Sequence, residues 1–598
     1  MLPASLIHSL RATIRTDDQE IQLKPSDNFT GQNAGFVLQV SEDPHRNCLR
    51  VQIRGSSEMQ LAIRTVALTF SFDYTGVQSI FCNGFQSWSE SREYAPGERL
   101  PALKWFARPL MRYYGDAHFQ QIPRRRRYFH SWTYSYIRTE VNDLFFIASV
   151  NEKNGFTWIG HDLRANTLTV NKDCTGLILE ESALVLDLLL ATGTEAAVFD
   201  AWFSEMDVHP STAPLASGWT SWYNYYTAIS ESILLQNLAS QSLIPREKRA
   251  PQHFFQIDDG YQTHVGDWLD LKPDFPSGMA AIAASIHAAS YQAGLWVAPF
   301  ICEQHSALFR EHPEWLLRDG SGKPVRAGWN PLWSGWFYAL DFYNIDFREG
   351  YLRPVLTTML HEWNFDLLKL DFLYAVCILP RPDKTRGQVM HEAMLWLREV
   401  AGNKWLLGCG VPLGSAFGLV DYCRIGADIH LRWEHKLLRF LGNRERVSTL
   451  LALRNAIGRR HLDGKVWRND PDVFLLRRHN LHLSEVQKRS ILIINALCGG
   501  LLFTSDELDG YDTAQWELAK QGLGLLTAQL LKVSPMGPDL YRIDFEQEGE
   551  KRQVICNLNA TTKTILWQEK PMVLQPFETR FVKPDTTALN SGVPVPLP

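Results

Sequence analysis

Two apolar segments of the chain carry acidic residues at positions where a carboxylate could do chemistry. Asp371 lies near the end of DLLKLDFL (366–373), and Asp428 ends DYCRIGAD (421–428). A carboxylate within a buried strand is costly unless it is paired, hydrogen-bonded or at the strand's open end. Two such groups on different strands suit glycosidic bond hydrolysis. One attacks the anomeric carbon, and the other protonates the leaving oxygen and then activates water. We therefore take Asp371 as the candidate nucleophile and Asp428 as the candidate acid/base.

A basic residue accompanies each carboxylate. Lys369 lies two residues before Asp371, so both side chains leave a strand on the same face, and its ammonium is expected to keep Asp371 ionised. Arg424 lies four residues before Asp428 and is a candidate for orienting a sugar hydroxyl or steadying the acid. The alternative is structural: Lys369 and Asp371 form a salt bridge at the end of a strand, and Asp428 caps a following helix.

Further polar and aromatic residues lie at comparable positions in neighbouring apolar segments. Each of these residues also has a structural explanation. DDG can be a strand-to-loop turn with Gly260 in a left-handed conformation, the cysteine can be a buried structural thiol, and the tryptophans can fill the core. The candidates for substrate contact are Asp258 and Asp259 in HFFQIDDGY (253–261), Trp296 in GLWVAPFI (294–301) and Cys409 in KWLLGCG (404–410).

Eight short apolar segments alternate with amphipathic segments between about 215 and 520. This pattern predicts a (β/α)8 barrel, in which active sites form at the C-terminal ends of the strands. Three helices are expected between the strands. MAAIAASIHAASYQAG is predicted to end at Gly294 and GQVMHEAMLWLREVAG at Gly402, and a third helix is predicted to begin after Ser484 as its N-cap. The predicted strand segments are 217–225, 253–261, 294–301, 366–373, 404–410, 421–428, 465–476 and 500–508.

The regions on either side of this pattern have the alternation that is typical of β-strands. Residues 1 to about 205 contain segments such as FVLQV and LRVQIRG between Asn, Gly and Asp turns, which favours a large antiparallel sandwich. Residues from about 530 to 585 predict a small second β domain. The sequence therefore predicts a multidomain α/β plus β protein: an N-terminal β-supersandwich (1–210), a central (β/α)8 TIM barrel (211–525) and a C-terminal antiparallel β-sandwich (526–598).

Composition excludes several classes of partner and site. Net charge is −5, and the one dense basic cluster, RRRR at 124–127, is predicted to be a solvated loop or an interface patch, so no nucleic-acid partner is expected. Nine scattered cysteines without CxxC argue against disulfides and structural zinc and fit a reducing, cytoplasmic location. No signal peptide or membrane-spanning segment is expected. No histidine accompanies the acidic residues in a ligand-like spacing, so no metal is expected. Hydrolysis by two carboxylates requires no cofactor, so none is expected.

Taken together, these motifs resemble glycoside hydrolase family 36, the retaining, melibiase-like α-galactosidases. The resemblance rests on DDGY (258–261), GLW (294–296), KLD (369–371), RIGAD (424–428), Cys409, and NGFQSWS (83–89) in the N-terminal region. It implies that Asp371 is the nucleophile, that Asp428 is the acid/base, and that Asp258 and Asp259 hold sugar hydroxyls. It also implies that Trp296 contacts the sugar and that Cys409 lies near the C2 side. Trp219 and Trp222 in SGWTSWYNY (217–225) match aromatic positions of the family on the first strand, which makes them further candidates for substrate contact.

The chain departs from the family pattern at three places that bear on the substrate. Leu370 stands where a Trp is usual, VAPF replaces EPE, and GVPLGSAFG follows Cys409 in place of a run of Gly. The expected substrate is a terminal α-galactoside in an oligosaccharide or glycoconjugate. N-acetylgalactosaminidase, transglycosylase and non-catalytic carbohydrate-binding protein are the alternatives. A homo-oligomer, in which an N-terminal domain completes a neighbour's pocket, is a further expectation.

Overall fold

The computed structural model describes residues 4–26, 30–56, 61–119, 121–139, 143–179, 182–206, 208–241, 243–244 and 250–584. Its N-terminal region contains two antiparallel sheets. The first has the strand order Glu20–Leu23, Arg11–Thr16, Leu61–Ser71, Thr167–Leu179, Thr157–Asp162, Tyr128–Trp132. The second has the order Thr30–Asn33, Phe36–Asp43, Cys48–Gly55, Ala183–Gly193, Leu144–Ser149, Tyr134–Thr139, Val77–Cys82, Arg92–Tyr94.

The two N-terminal sheets share one apolar core. Leu68 of the first sheet and Val51 of the second belong to the same buried cluster. Phe36–Asp43 alternates buried and exposed residues along most of its length, because successive side chains of a strand point to opposite faces. The predicted β character of this region is therefore confirmed.

A nine-stranded sheet with only parallel pairings follows. Its strand order is β7–β6–β5–β4–β3–β2–β1–β9–β8. In chain order the strands are β1 (Ala216–Thr220), β2 (Gln252–Ile257), β3 (Gln292–Val297), β4 (Leu367–Leu370), β5 (Trp405–Gly408), β6 (Tyr422–Arg424), β7 (Arg468–Asp470), β8 (Val473–Phe474) and β9 (Leu501–Thr504).

The two edge strands of this sheet, β7 and β8, follow each other directly in the chain. β7 pairs with β6 and β8 pairs with β9, and only Pro471 and Asp472 separate β7 from β8. Proline cannot donate a ladder hydrogen bond, and Asp472 has φ +83, so the predicted seventh strand is interrupted at this point. The parallel sheet is therefore curled, and its edges meet at this interruption.

Every predicted strand segment overlaps a strand of the parallel sheet, but one predicted helix end is wrong. Gly294 lies inside β3, and the preceding helix ends at Ala288, where Ser290 with φ +63 turns the chain. Gly402 follows the helix Arg386–Ala401 as predicted, and Ser484 caps Glu485–Cys498 through a hydrogen bond from the Gln487 backbone.

An insertion after β3 was not predicted from the sequence. It contains a three-stranded antiparallel sheet in the order Ile301–Glu303, Gly335–Ala339, Arg326–Asn330.

The remaining α-helices are Ala4–Ser9, Arg108–Met111, Glu195–Glu205, Trp222–Tyr225, Glu231–Gln241, Gly278–Ala288, Ala307–Glu311, Arg353–Thr357, Lys436–Phe440, Thr449–Arg459 and Thr513–Leu525. Two π-helical turns, Asp346–Leu352 and Thr358–Glu362, flank Arg353–Thr357.

The C-terminal region returns to antiparallel strands. A four-stranded sheet has the order Gln529–Gly537, Leu540–Gln547, Glu550–Asn557, Thr579–Val582, and a two-stranded sheet pairs Lys563–Trp567 with Lys570–Leu574. Residues 585–598 of the predicted third domain lie outside the described residues. All nine cysteines are buried free thiols.

Candidate active site

The predicted site residues follow or end neighbouring strands of the parallel sheet. Asp258 follows β2, Asp371 follows β4, Cys409 follows β5 and Arg424 ends β6. Because the carboxyl ends of parallel strands meet at one edge, these side chains share that edge. The structure therefore brings these four predicted residues to the same edge of the sheet.

Asp371 is fixed by two N–H donors. The indole Nε1 of Trp296 donates to Oδ2 at 3.1 Å, and the Phe372 backbone N–H donates to Oδ1 at 2.8 Å. Phe372 has φ +54, which turns the chain back immediately after the carboxylate. The side chain remains only slightly exposed. Both donors orient the carboxylate, which is the group that a nucleophilic attack would use.

The direct partner of Lys369 is Asp258, so the structural alternative of a Lys369–Asp371 salt bridge is wrong. The Lys369 ammonium donates to Asp258 Oδ2 at 2.7 Å, and both side chains are buried. Burial is the largest influence and opposes the positive charge, but the nearby negative groups, Asp258 first and Asp371 after it, together raise the pKa of Lys369. Lys369 thus influences Asp371 only through its field, while its hydrogen bond holds Asp258.

Asp259 faces the insertion that follows β3. Trp333 Nε1 donates to its Oδ2 at 2.8 Å, and Gln262 Nε2 donates to its Oδ1 at 2.7 Å. Burial raises the pKa of Asp259 to about 6. Gly260 has φ +122, and a Cβ there would lie 2.8 Å from the Thr227 Cα, so the turn requires glycine. The positive φ at Gly260 confirms the predicted turn.

Asp428 forms an ion pair with Arg424 and remains open to solvent. The Arg424 guanidinium lies 2.8 Å from the Asp428 carboxylate, whose side chain is 32% exposed. Burial raises the pKa of Asp428; Arg424 and Lys369 oppose this shift, and Asp371 adds to it. A carboxyl that holds its proton more strongly than usual is suited to proton donation.

Arg424 is also shared with a pair of carboxylates beyond the predicted site. Asp470 and Asp472 lie 2.8 and 2.9 Å from its guanidinium and are fully buried. The sequence places both in the segment NDPD, but it does not reveal that they hold Arg424.

The loop that contains NGFQSWS contributes Trp88 to the site. Trp88 Nε1 donates to the Sγ of Cys409 at 3.2 Å. Burial raises the pKa of this thiol well above its ordinary value, so Cys409 is a neutral wall of the site. A Cβ on Gly410 would lie 2.9 Å from the Trp88 ring, which shows how closely the two segments pack.

Partly exposed aromatic rings pack against Phe372, the residue after Asp371. Trp88 lies edge-on to Phe372 at 5.1 Å between ring centroids, and Trp333 lies 5.3 Å from the same ring. The motif around Trp88 could have identified this residue. Trp333 had no comparable signal, because it lies in the insertion that the strand pattern did not predict.

Two tryptophans near the first strand were predicted to contact the substrate, and for Trp219 this prediction is wrong. It is fully buried and stacks on Phe255 at 4.4 Å, so it fills the core and offers no face to a substrate. Trp222 begins the short helix after β1, is partly exposed and packs against Tyr226.

Neither a metal cluster nor a membrane helix is found in the described part of the chain. There, no group of three or more His, Cys, Asp or Glu side chains is arranged to hold a metal ion. Within the same ranges, none of the helices has the length and hydropathy that crossing a membrane requires.

Sequence comparison relates the segment containing part of this site to known proteins. Residues 237–403 match the Melibiase family model. An α-galactosidase of Lactobacillus acidophilus is 30% identical over 165 residues, which are 26% of this chain and 21% of that protein. The matched segments of the first curated relatives span only about a quarter or less of their length.

Structural comparison extends the likeness to most of the chain. An α-galactosidase of Thermus thermophilus in complex with p-nitrophenyl α-D-galactopyranoside has a TM-score of 0.68 and 27% identity, over 90% of this chain and 98% of that one. An α-galactosidase variant of Geobacillus stearothermophilus in complex with raffinose has a TM-score of 0.60 over 96% and 88% of the two chains. At 11% identity, the latter supports the fold alone.

The curled parallel sheet, the carboxylates at its C-terminal edge and these matches make the chain similar to the glycoside hydrolases. Within that class, the comparisons confirm the predicted resemblance to the α-galactosidases of glycoside hydrolase family 36.

Proposed function

We propose that this protein is a retaining, exo-acting α-galactosidase that uses no cofactor. Its catalytic residues belong to a complete (β/α)8 barrel (211–525) between an N-terminal β-sandwich (1–210) and a C-terminal β domain (526–598). The observation that carries the proposal is the different environment of two carboxyl groups at one edge of the parallel sheet. Asp371 accepts two N–H donors, whereas burial raises the pKa of Asp428.

In the first step, Asp371 attacks the anomeric carbon and the bond to the leaving oxygen breaks. Asp428 gives its proton to that oxygen, and a covalent glycosyl-enzyme forms at Asp371. The ion pair with Arg424 keeps the Asp428 carboxyl in a fixed direction after the proton has left.

In the second step, Asp428 is a carboxylate and takes a proton from water, which attacks the anomeric carbon and releases Asp371. The sugar leaves with its original configuration because two displacements have taken place. The 32% exposure of the Asp428 side chain supports this step, since water must reach that group.

The remaining site residues are proposed to bind the sugar. Asp258, Asp259 and Lys369 offer charge-assisted hydrogen bonds to hydroxyl groups. The partly exposed rings of Trp88 and Trp333 offer apolar faces to the C–H groups of the ring. The Thermus thermophilus relative is in complex with p-nitrophenyl α-D-galactopyranoside, which supports an α-galactoside as the substrate.

Galactose is the proposed sugar rather than N-acetylgalactosamine. The resemblance places Cys409 on the C2 side, where the Trp88 indole donates to its thiol at 3.2 Å. An acetamido group on that side would have to separate the two residues. We expect kcat/KM for p-nitrophenyl α-N-acetylgalactosaminide to be at least about a hundredfold below that for the galactoside, on the order of 3 kcal/mol.

Leaving-group dependence tests the proposed roles of the two carboxylates. Wild type, Asp371→Asn and Asp428→Asn are assayed with p-nitrophenyl α-galactoside and with methyl α-galactoside. Asp371→Asn should lose activity on both substrates, because no nucleophile remains. Asp428→Asn should lose much more on the methyl galactoside, because p-nitrophenolate leaves without a proton.

Two results would refute the proposal. A wild-type enzyme inactive on every α-galactoside would remove the assigned activity. Equal losses on both substrates for Asp428→Asn, with its melting temperature unchanged, would remove its role as acid. Product analysis by NMR adds a separate check, since the first sugar released must be the α-anomer.

A further inference from the structure

Arg424 divides its guanidinium among three carboxylates. One terminal nitrogen lies 2.8 Å from Asp428, Nε lies 2.8 Å from Asp470, and the other terminal nitrogen lies 2.9 Å from Asp472. The arginine side chain is only 3% exposed, so water screens these contacts poorly. The position of Arg424, and the charge that it presents to Asp428, therefore depend on the two carboxylates behind it.

Asp472 contacts both sides of the segment that contains Asp428. Its Oδ1 lies against Arg424, while its Oδ2 accepts the backbone N–H of Ile429 at 2.7 Å. Ile429 directly follows Asp428 in the chain. One carboxylate thus holds the arginine that pairs with Asp428 and the peptide next to Asp428.

The backbone at Asp472 departs from ordinary strand geometry to allow these contacts. Its φ of +83 is uncommon for a residue other than glycine, and it occurs between β7 and β8, immediately after Pro471. Such conformations cost on the order of 1 kcal/mol or more and persist where the surrounding structure requires them. The interruption of the seventh strand therefore turns the Asp472 carboxylate towards Arg424.

The charges that face Asp472 come from three elements. Arg424 and Asp428 belong to β6 and the residues after it, and Asp470 belongs to β7. The Tyr223 hydroxyl, from the helix after β1, donates to Asp472 Oδ2. Burial raises the pKa of Asp472 to about 7; Arg424 opposes this shift, and Asp428 and Asp470 add to it.

We propose that Asp472 is a positioning residue that acts through Arg424 and Ile429 to keep Asp428 in place and to keep its proton bound until the substrate arrives. The inference rests on the proposed role of Asp428 as acid/base. It adds a specific contribution of the NDPD segment, whose carboxylates do not contact the substrate in the proposed mechanism.

The sign of the effect follows from the charges. The Asp472 carboxylate offsets the Arg424 charge and repels the charge on Asp428, so it makes ionisation of Asp428 harder. Removal of that carboxylate leaves Arg424 less compensated, and Asp428 then loses its proton at lower pH. Because the first step requires protonated Asp428, the basic limb of the kcat/KM profile should move to lower pH.

Asp472→Asn is the variant of choice, because Asn tolerates positive φ and keeps the size of the side chain. Profiles of kcat/KM for p-nitrophenyl α-galactoside are measured from pH 4 to 10 in wild type and variant. We expect the basic limb to move down by about 0.5–1 pH unit and kcat/KM at pH 8 to fall about three- to tenfold.

Asp506→Asn is the matched control. Asp506 is as deeply buried as Asp472 and also pairs with an arginine, Arg477, at 2.8 Å. Within the described chain, its carboxylate accepts hydrogen bonds from Leu476, Arg477 and Tyr511 and not from Arg424. The general cost of removing a buried carboxylate should appear in this control as a lower melting temperature with the basic limb unmoved.

Tyr223→Phe keeps the inference testable if Asp472→Asn fails to fold. Loss of the phenol donor disfavours the ionised form of Asp472, so the basic limb should move in the same direction by a smaller amount. A folded Asp472→Asn or Tyr223→Phe enzyme whose basic limb stays at the wild-type pH overturns the inference while the proposed function stands. A wild-type enzyme inactive on every α-galactoside overturns both.

Discussion

The indole N–H of Trp88 donates to the thiol of Cys409 at 3.2 Å, although the two residues are 321 positions apart. Adjacent contacts hold the same two segments together. Gly410 N–H donates to the Ser87 hydroxyl at 2.8 Å, and Ser87 N–H donates to the Val411 carbonyl at 3.0 Å. The loop between the N-terminal strands therefore forms part of the wall of the candidate active site.

Truncation of Trp88 should weaken substrate binding more than it slows the chemical step. Trp88→Ala removes a partly exposed ring beside Phe372 and leaves the carboxylates of the site in place. We expect KM for p-nitrophenyl α-galactoside to rise about tenfold, on the order of 1.4 kcal/mol, with kcat within about threefold of wild type. Steady-state kinetics at one pH are sufficient for this measurement.

Trp105→Ala is the matched control for Trp88→Ala, because Trp105 also belongs to the N-terminal region but is 80% exposed. Its KM should stay at the wild-type value. Equal changes of KM in both variants would mean that Trp88 has no specific contact with the substrate.

Arg459 should be essential for the position of the Trp88 loop. It is fully buried and donates to the carbonyl oxygens of Gln86 and Ile425 at 3.1 and 2.8 Å and to the Asn83 side chain at 3.0 Å. Arg459→Lys keeps the charge but cannot supply this planar set of donors, so buried carbonyls lose their partners. We expect a melting temperature several degrees lower and a higher KM, as in Trp88→Ala.

The exposed residue Arg439 provides the comparison for Arg459, since Arg439→Lys is the same chemical change at the surface. It should leave both the melting temperature and KM unchanged. An Arg459→Lys enzyme with wild-type KM and reduced stability would show that Arg459 supports the fold without positioning Trp88.

The positions of the parallel strands in the chain can be predicted from the sequence because these strands are buried on both faces. Such strands appear as short apolar segments, and their polar ends identify the shared edge, so Asp371, Asp428 and Asp258 could be placed together. A glycine after a helical segment was used to predict where the helix ends. The prediction is right at Gly402 and wrong at Gly294. A glycine can end a helix or allow close packing in a strand, and only the tertiary structure decides between the two.

Side-chain partners were less predictable than strand positions. Lys369 and Asp371 share a face of one strand, yet the ammonium reaches across the sheet to Asp258, which is 111 positions away. Trp219 was predicted to bind the sugar because it is an aromatic residue near the first strand, but it stacks on Phe255 in the core. These choices depend on distances between strands, which the pattern of one strand does not contain.

Lys369 and Asp258 should show strong coupling in a double-mutant cycle. Both are buried and lie 2.7 Å apart, so Lys369→Met alone leaves the Asp258 carboxylate without its cation. We expect each single variant to lose about 3–5 kcal/mol of unfolding free energy, and the double variant Lys369→Met/Asp258→Asn to lose clearly less than their sum. Urea unfolding of the four proteins measures the coupling.

A coupling free energy within about 0.5 kcal/mol of zero would contradict the observed pairing. The exposed pair Lys520–Glu517, at 2.9 Å, provides the reference cycle. Its coupling should stay below about 1 kcal/mol, because solvent screens charges at the surface.

Glu445 should make the stability of the protein depend on pH near neutrality. Its carboxyl accepts the Ser89 hydroxyl at 2.7 Å, and burial, together with the charge of Asp116, raises its pKa from 4.5 to about 7. In the unfolded chain the group ionises at its ordinary pKa. The folded state therefore holds a proton that the unfolded state has lost between these values, and stability falls as pH rises from about 4.5 through about 7.

Glu445→Gln should remove this dependence, because the amide keeps an acceptor for Ser89 and cannot ionise. The unfolding free energy of the variant relative to wild type should rise between pH 5 and 8 by on the order of 1–3 kcal/mol. Urea unfolding at several pH values measures the difference, and Glu517→Gln, at a residue whose side chain is 68% exposed, is the control. Parallel stability curves for Glu445→Gln and wild type would show that the Glu445 carboxyl ionises at the same pH in the folded and unfolded chains.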